Sequence, residues 1–261
     1  MINFYKQYLL KMLRKILLKI KNPIYLEDVS FEKKFKSYTK AKKYSSKITS
    51  YLNSEMDTYN ASQFNSGISF SEVDRNIIVP FVINFIRGNR IRILDVGGGN
   101  TPISSYIKKL SSKKIDCWIL EREEFVKKIL PVANKKKQKI NYVSDHKLII
   151  NKKFDIIYFG SSLQYIDNYK LFIKELLHCN PEFVIITDTI FTKFKSNLFS
   201  LQINMQPSVF PIQIFSENNF INFMKKYKYR CIFNFNNPSK HTHRDIEKKK
   251  YNFKHFIFKK I

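Results

Sequence analysis

The sequence has few cysteines, and none of them is placed to hold a metal. Cys117, Cys179 and Cys231 are the three cysteines of the 261-residue chain, and they are far apart. There is no Cys-x-x-Cys pair, and no histidine follows at metal-ligand spacing. The pattern excludes a structural zinc site, and we expect no metal in the functional site. It also predicts reduced thiols in a cytoplasmic protein.

The chain lacks an apolar run of the roughly 20 residues needed to span a bilayer, and no small-residue cleavage site follows an apolar segment. Residues 1–21 are instead basic and amphipathic, with leucine and isoleucine at helical spacing between lysines and an arginine. Two interpretations stay open for this helix. It either lies on the anionic inner face of the membrane or packs its apolar side on the domain.

Acidic residues are scarce, with 21 aspartates and glutamates against 47 lysines and arginines and a net charge of +26. Such an excess normally indicates a nucleic-acid or anionic-membrane partner. Here the basic residues are mostly lysine and are scattered along a chain rich in asparagine and isoleucine, as in proteins of AT-rich genomes. The charge alone therefore does not separate a binding function from a general surface property.

The order of apolar segments predicts an α/β domain over residues 68–261, preceded by a helical extension over residues 1–67. Residues 69–89 predict a helix that Ser71 caps, Pro80 interrupts or bends, and Gly88 ends. Five short apolar segments then alternate with helical ones, which predicts a doubly wound, mostly parallel sheet. They are IRILDV, IDCWILE, INYVS, FDIIYFG and EFVIITD.

Two late segments, YKYRCIFNF and YNFKHFIFKK, predict an antiparallel pair, because the polar residues between them are too few for a crossover helix. The stretch LQINMQPSVFPIQIFS, which lies between the fifth segment and the next helix, contains prolines and glutamines. We expect it to form a loop.

Glycine is also rare, yet three of the six glycines are consecutive, in RILDVGGGNTP after the first predicted strand. In a doubly wound sheet this turn comes closest to a ligand, and Gly97 to Gly99 let backbone N–H groups approach it. The third glycine of a dinucleotide fingerprint is replaced by Pro102, and a Gly-Lys-Ser/Thr phosphate loop is absent. Nicotinamide and ATP are therefore poor candidates.

ILDVGGGNT resembles the first motif of class I S-adenosylmethionine-dependent methyltransferases. The resemblance implies a Rossmann-like, seven-stranded sheet with one final antiparallel strand, and S-adenosylmethionine as cofactor. It implies that an acid closing the first strand lies near the methionine moiety and that an acid closing the second binds the ribose hydroxyls. The residues that it assigns to the cofactor are Asp95, Gly97, Gly98, Gly99, Glu121, Asp145 and Gly160.

A narrower resemblance lies in FDIIYFGSSLQYIDNY. It is similar to a signature in a family of bacterial methyltransferases associated with surface-polysaccharide gene clusters. The similarity covers about residues 91–258 and implies a sugar or glycan-precursor substrate. The chain departs from that family at Asp188 and Thr189, where an Asp-Arg pair is usual.

Methylation of a sugar hydroxyl needs alignment and a proton acceptor. Gln164 and Tyr165 are predicted to orient the substrate, and His146 and Asp188 are the two candidate bases. The working hypothesis is a cytoplasmic methyltransferase that acts on a surface-glycan precursor, with a peripheral contact to the inner membrane face.

Two other functions stay open. The charge and the many aromatic residues favour an RNA or other nucleic-acid methyltransferase, although the Asn/Asp-Pro-Pro-aromatic motif of base-methylating enzymes is missing after the fourth predicted strand. A non-catalytic assembly module with the cofactor fold is the second alternative. The retained Asp95, glycine turn and Glu121 argue against it.

Overall fold

The computed structural model describes residues 30–47, 77–99, 103–107, 110–135, 140–203, 209–241 and 251–261. The strands are β1 (Ser30–Phe35), β2 (Arg90–Val96), β3 (Lys114–Leu120), β4 (Asn141–Val143), β5 (Ile156–Gly160), β6 (Phe183–Thr192), β7 (Leu198–Ile203), β8 (Val209–Ser216), β9 (Tyr229–His241) and β10 (Asn252–Lys260). The helices are α1 (Tyr38–Ser45), α2 (Ile78–Ile83), α3 (Ile103–Ile107), α4 (Glu123–Lys135), α5 (Tyr169–Leu176) and α6 (Glu217–Lys226). The predicted helix over residues 1–21, the Ser71 cap and Pro102 lie outside the described residues.

Seven strands form the main sheet, in the order β4-β3-β2-β5-β6-β10-β9. Strands β4, β3, β2, β5 and β6 pair in parallel, whereas β10 is antiparallel to both β6 and β9. The predicted mostly parallel sheet with a final antiparallel strand is therefore confirmed. We call the end at which the parallel strands start the amino edge, and the end at which they finish the carboxyl edge.

Both faces of the main sheet are buried, which explains the nearly continuous apolar character of its strands. Ile93 and Ile185 belong to the cluster beneath α2, α3 and α4. Their chain neighbours Leu94 and Val184 belong to the cluster beneath α5 and α6 on the opposite face. Successive side chains alternate between the two clusters, as the pleat of a strand requires.

A second, antiparallel group of strands corrects the prediction for LQINMQPSVFPIQIFS. Most of this stretch is strand, because β7 pairs along its whole length with Val209 to Ile214 of β8, and β1 from the extension adds to the other edge of β7. The last residues of β8 join the end of β6, and α1 packs Ala41 on Leu201 and Val209. In its described part the extension thus supplies a strand as well as a helix.

The described helix before β2 ends earlier than predicted. It runs from Ile78 to Ile83, so Pro80 lies in its first turn, where a missing N–H is tolerated, and does not interrupt it. It ends before Gly88, at a point where the Lys113 ammonium donates a hydrogen bond of 3.0 Å to the Ile83 carbonyl. A cation at the last carbonyls stabilises a helix end in place of a glycine.

Candidate active site

Two of the three glycines after β2, Gly97 and Gly98, are packed too closely for a side chain. A Cβ atom added to Gly98 would lie 2.5 Å from Asp95 Oδ2, and one added to Gly97 would lie 2.6 Å from Ser162 Cβ. Gly97 also has a φ of +74°, and its N–H donates to the Leu120 carbonyl over 2.9 Å. The turn therefore lies between the ends of β2, β3 and β5 with its backbone bare.

Asp95 ends β2 as a carboxylate with only 1% of its surface exposed. Its Oδ2 accepts a hydrogen bond of 3.0 Å from the N–H of Ile103, the first residue of α3. The carboxylate is thereby fixed between the strand end and the start of the helix. The phenol of Tyr142 donates to the Gly99 carbonyl over 3.1 Å, and burial, followed by the Asp95 charge, raises the pKa of that phenol far above its ordinary value.

Glu121 follows β3 directly and lies beside the same turn. Its Oε2 accepts a hydrogen bond of 2.9 Å from the Arg122 N–H, and its Oε1 is 3.9 Å from the position of a Cβ at Gly99. Asp95, the glycine turn and Glu121 are therefore brought together at the carboxyl edge, as the sequence predicts.

Asp145 and His146 have other partners. Asp145 follows β4 and is exposed, and its Oδ1 accepts a hydrogen bond of 2.9 Å from the Lys147 N–H. His146 Nε2 lies 2.6 Å from Glu175 Oε2, near the last residue of α5. Because α5 starts after the carboxyl edge and runs back toward the amino edge, this contact directs His146 away from the glycine turn.

The segment after β5 lines the middle of the carboxyl edge. Gly160 ends the strand, and a Cβ there would lie 2.7 Å from the hydroxyl oxygen of Tyr158. Ser161 has a φ of +59°, and its N–H donates to the Thr187 carbonyl of β6 over 2.9 Å. Ser162 donates its hydroxyl to the Val96 carbonyl, which ties this segment to the glycine turn.

Gln164 is buried in this segment, with 1% of its surface exposed. Its Nε2 donates to the carbonyl of Ser161 over 3.1 Å and contacts the Ser161 hydroxyl at 3.3 Å. Its Oε1 accepts no hydrogen bond from the described residues. A buried acceptor without a donor is costly, so the Gln164 amide oxygen can accept a hydrogen bond from a bound water or ligand.

Tyr165 turns toward the added strands. Its phenol donates to Gln202 Oε1 on β7 over 2.9 Å, and its carbonyl accepts from the Tyr38 phenol on α1 over 2.6 Å. Two strand groups therefore meet at this residue, and its side chain forms part of the wall between them.

Asp188 belongs to a buried polar cluster that the sequence analysis did not detect. The carboxylate is fully buried, and its Oδ1 accepts a hydrogen bond of 2.6 Å from Asn237 Nδ2 on β9. His255 Nε2, on β10, lies 3.6 Å from the same oxygen, and the imidazole stacks on Phe235 at a centroid distance of 4.5 Å. His255 and Asn237 each lie in a segment with the period of a strand, so no local motif marked them.

The backbone at Asp188 is strained. Its φ is +48°, which non-glycine residues rarely adopt, and the register between β6 and β10 slips by one residue opposite it. Its neighbour Thr187 shares a hydrogen bond of 2.9 Å with the Tyr158 phenol. Strained residues of this kind cluster at functional sites, and here the bulge directs a carboxylate into the polar cluster.

The cysteines do not supply a nucleophile at this edge. Burial raises the pKa of the Cys117 thiol far above its ordinary value and that of Cys179 to about 11. Both thiols are therefore protonated near neutral pH. In the ranges that the structure describes, no three histidine, cysteine or acidic residues are grouped to hold a metal, and no helix is long and apolar enough to cross a bilayer.

Solved structures show what this fold is. Magnesium protoporphyrin IX methyltransferase of Synechocystis PCC 6803, which was solved with S-adenosylhomocysteine bound, has a TM-score of 0.52 and 10% identity over 86% of this chain and 99% of that one. A S-adenosylmethionine-dependent methyltransferase of Clostridium acetobutylicum ATCC 824 has a TM-score of 0.50 and 12% identity over 79% of this chain and 98% of that one. No family model and no curated protein sequence matches the chain.

At these identities the likeness shows the fold alone. The chain has the Rossmann-like fold of S-adenosylmethionine-dependent methyltransferases, as the resemblance in the glycine turn predicts. The narrower resemblance in SSLQY, and the sugar substrate that it implies, stay predictions.

Proposed function

We propose that this protein is an S-adenosylmethionine-dependent methyltransferase that methylates a hydroxyl group of a sugar on a surface-glycan precursor. The observation that most supports it is the bare glycine turn between two carboxylates, Asp95 and Glu121. A cofactor with an adenosine and an amino-acid moiety needs backbone donors and carboxylate acceptors close together. When bound, it supplies an electrophilic methyl group.

The residues at the turn fit this cofactor. Glu121 would accept hydrogen bonds from the two ribose hydroxyls, because the two oxygens of a carboxylate can accept from a pair of neighbouring hydroxyls. Asp95, fixed by the Ile103 N–H, lies on the methionine side, and Gly97 to Gly99 allow backbone contact. Asp145 and Gly160 are proposed as further contacts, on the adenine side and at the end of β5.

The proton of the acceptor hydroxyl has to be taken up as the methyl group is transferred. We assign this task to His255, whose Nε2 lies 3.6 Å from the buried Asp188 carboxylate, where a negative charge attracts the imidazolium that forms. Asn237 keeps Asp188 in place over 2.6 Å. His146 is not proposed as the base, because it lies against Glu175 on α5.

The polar groups around this pair support a substrate with several hydroxyls. Gln164 offers a buried amide oxygen, and the bonded pair of Tyr165 and Gln202 lines the wall formed by the added strands. Amide and phenol groups of this kind hold hydroxyls by hydrogen bonds and orient one of them.

Methyl transfer from labelled S-adenosylmethionine to separate pools of nucleotide-linked sugars, lipid-linked sugars and RNA tests the proposal. We expect labelled sugar with the wild type and the His146→Gln variant, and a loss of about 100-fold or more with His255→Gln. Binding of S-adenosylhomocysteine by His255→Gln is the control for an intact cofactor site.

Three results would overturn parts of the proposal. Label in RNA alone would contradict the sugar substrate. Equal rates for His255→Gln and the wild type would contradict the assigned base. A folded wild type that binds no S-adenosylmethionine would leave the non-catalytic module as the function.

A further inference from the structure

An exposed apolar stripe runs along α2 toward the amino edge of the sheet. Ile77, Phe81 and Phe85 recur every four residues and are 53%, 58% and 62% exposed, whereas the opposite side of this segment is buried. The Phe81 and Phe85 rings touch edge to face at a centroid distance of 5.1 Å. Residues spaced in this way on one side of a helix form a continuous apolar surface.

Cations surround the end of this stripe. Arg87 and Arg90 follow Phe85 and are exposed, and Lys114 lies beside them because its N–H donates to the Asn89 carbonyl over 2.8 Å. The exposed Leu110 precedes Lys114 in the chain and follows α3. Since α3 contacts α2, these residues belong to the same side of the molecule as the stripe. Apolar and cationic side chains are thus mixed on one surface.

A cationic cleft continues this surface on the other face of the sheet. The cleft has a volume of about 370 Å³ and is lined by Arg92, Lys152, Lys153 and Trp118 among others. The Lys152 ammonium lies 4.8 Å above the Trp118 ring. Asp116 joins the two halves, since it also lines the cleft and its Oδ2 is 2.9 Å from Arg90 Nη2.

The acids that face these cations are already engaged. Asp116 contacts both Arg90 and Arg92, and Asp155 Oδ2 accepts the Arg92 N–H over 2.7 Å. Arg87, Lys114, Lys152 and Lys153 add further positive charge to the surface. The amino edge therefore combines an apolar stripe with a strongly positive rim.

We propose that the amino edge is a docking surface for an anionic lipid bilayer. Phe81 and Phe85 enter the boundary between headgroups and acyl chains, and the surrounding arginines and lysines contact the phosphates. Nucleic acid is less suited to this surface, because bases stack on open ring faces, whereas Phe81 and Phe85 pack edge to face on one another and Ile77 has no ring. The proposal rests on described residues alone and is independent of the proposed methyl transfer.

Trp118 is the single tryptophan of the chain and lines the cationic cleft, so tryptophan fluorescence reports whether the cleft is covered. The full chain is mixed at low salt with vesicles of phosphatidylglycerol and phosphatidylcholine in equal parts, or of phosphatidylcholine alone. Sedimentation measures binding, and quenching of Trp118 by iodide measures whether the cleft is covered. We expect binding to the anionic vesicles only, together with reduced iodide quenching.

Variants at the two components of the surface test each of them. Phe81→Ser with Phe85→Ser, and separately Arg87→Glu with Lys114→Glu, are each expected to weaken binding about tenfold. Phe194→Ser is the matched control, because Phe194 is 42% exposed but follows the carboxyl end of β6. Its binding should equal that of the wild type, and unchanged melting temperatures show that the variants are folded.

Two outcomes would overturn the proposal. The first is vesicle binding in which iodide quenches Trp118 as strongly as without vesicles and both double variants bind as tightly as the wild type. This result would place the contact elsewhere in the chain, such as residues 1–21. Tight binding to poly-uridylate that excludes vesicles and is insensitive to the phenylalanine variants would identify the surface as a nucleic-acid site.

Discussion

The two edges of the main sheet are built from different kinds of residue. At the carboxyl edge the polar groups are buried and bonded to one another, as with Asp188 and Asn237, and the backbone is strained. At the amino edge the charged and aromatic side chains are exposed, as with Arg87 and Phe85. Buried polar groups and strain cost stability and are retained where chemistry needs them. The difference is consistent with the reaction site that we propose at the carboxyl edge and the contact surface that we propose at the amino edge.

Variants of two carboxylates, each of which faces a histidine, test this comparison most strongly. His255 faces Asp188 in the buried cluster, and His146 faces Glu175 on α5. We expect Asp188→Asn to reduce the rate of methyl transfer about 100-fold or more, because the imidazolium loses its counter-charge. Glu175→Gln should leave the rate within about twofold and lower the free energy of unfolding by at most about 1 kcal/mol. Equal effects of the two variants on the rate would contradict the assignment.

The carboxylate at the glycine turn should have the next largest effect. Asp95→Asn keeps the size of the side chain and an oxygen that can still accept the Ile103 N–H, but it removes the negative charge that we propose faces the methionine moiety of the cofactor. A charge-assisted hydrogen bond is worth about 1.5–3 kcal/mol, so we expect affinity for S-adenosylhomocysteine to fall roughly 10- to 100-fold. Calorimetric titration measures this affinity, and an unchanged value would show that Asp95 does not contribute to cofactor binding.

Glycines at the two edges should respond differently to an added methyl group. Gly98→Ala places a Cβ within 2.5 Å of the fixed Asp95 carboxylate, whereas Gly88→Ala meets no atom within 4 Å. We expect Gly98→Ala to weaken cofactor binding about tenfold. Gly88→Ala should leave binding intact and cost only about 1 kcal/mol of stability, because Gly88 has a φ of +89°. If both variants lost cofactor affinity to the same extent, the close packing at Gly98 would not be the reason for the loss.

The smallest expected effects come from two tyrosine phenols. Tyr165 donates to Gln202 near the carboxyl edge, and Tyr229 donates over 2.7 Å to the Pro181 carbonyl before β6, near the amino edge. Replacing either by phenylalanine should lower the free energy of unfolding in urea by about 1 kcal/mol. We expect the KM for the acceptor to change only with Tyr165→Phe. A changed KM with Tyr229→Phe would contradict the claim that the acceptor binds at the carboxyl edge alone.

The strands of the main sheet were predictable because each is a short apolar segment followed by a turn or helix signal. Gly97 to Gly99 and Glu121 directly follow two of those strands and Asp95 is the penultimate residue of the first, and the resemblance of ILDVGGGNT to a methyltransferase motif assigned them to a cofactor. The added strands were missed because Pro211 and the glutamines in LQINMQPSVFPIQIFS suggested a loop, although β8 is buried along most of its length. In this segment tertiary pairing outweighs local preference.

The buried cluster could not be predicted, because its members are far apart in the chain. Asp188, Asn237 and His255 lie on three different strands, and the bulge that directs Asp188 arises only when β10 pairs with β6. A histidine inside the apolar segment FKHFIF was a weak signal. His146 was favoured by its position beside Asp145, but position along the chain does not fix the direction of a side chain.

The central claim is that the bare turn between Asp95 and Glu121 binds S-adenosylmethionine. Calorimetric titration of the wild type and of Glu121→Gln with S-adenosylmethionine and S-adenosylhomocysteine tests it most directly. We expect micromolar binding of both by the wild type and an affinity about tenfold lower for the variant, because one charged acceptor of the ribose hydroxyls is lost. A folded wild type that binds neither compound, or a variant that binds both as tightly, would contradict the account.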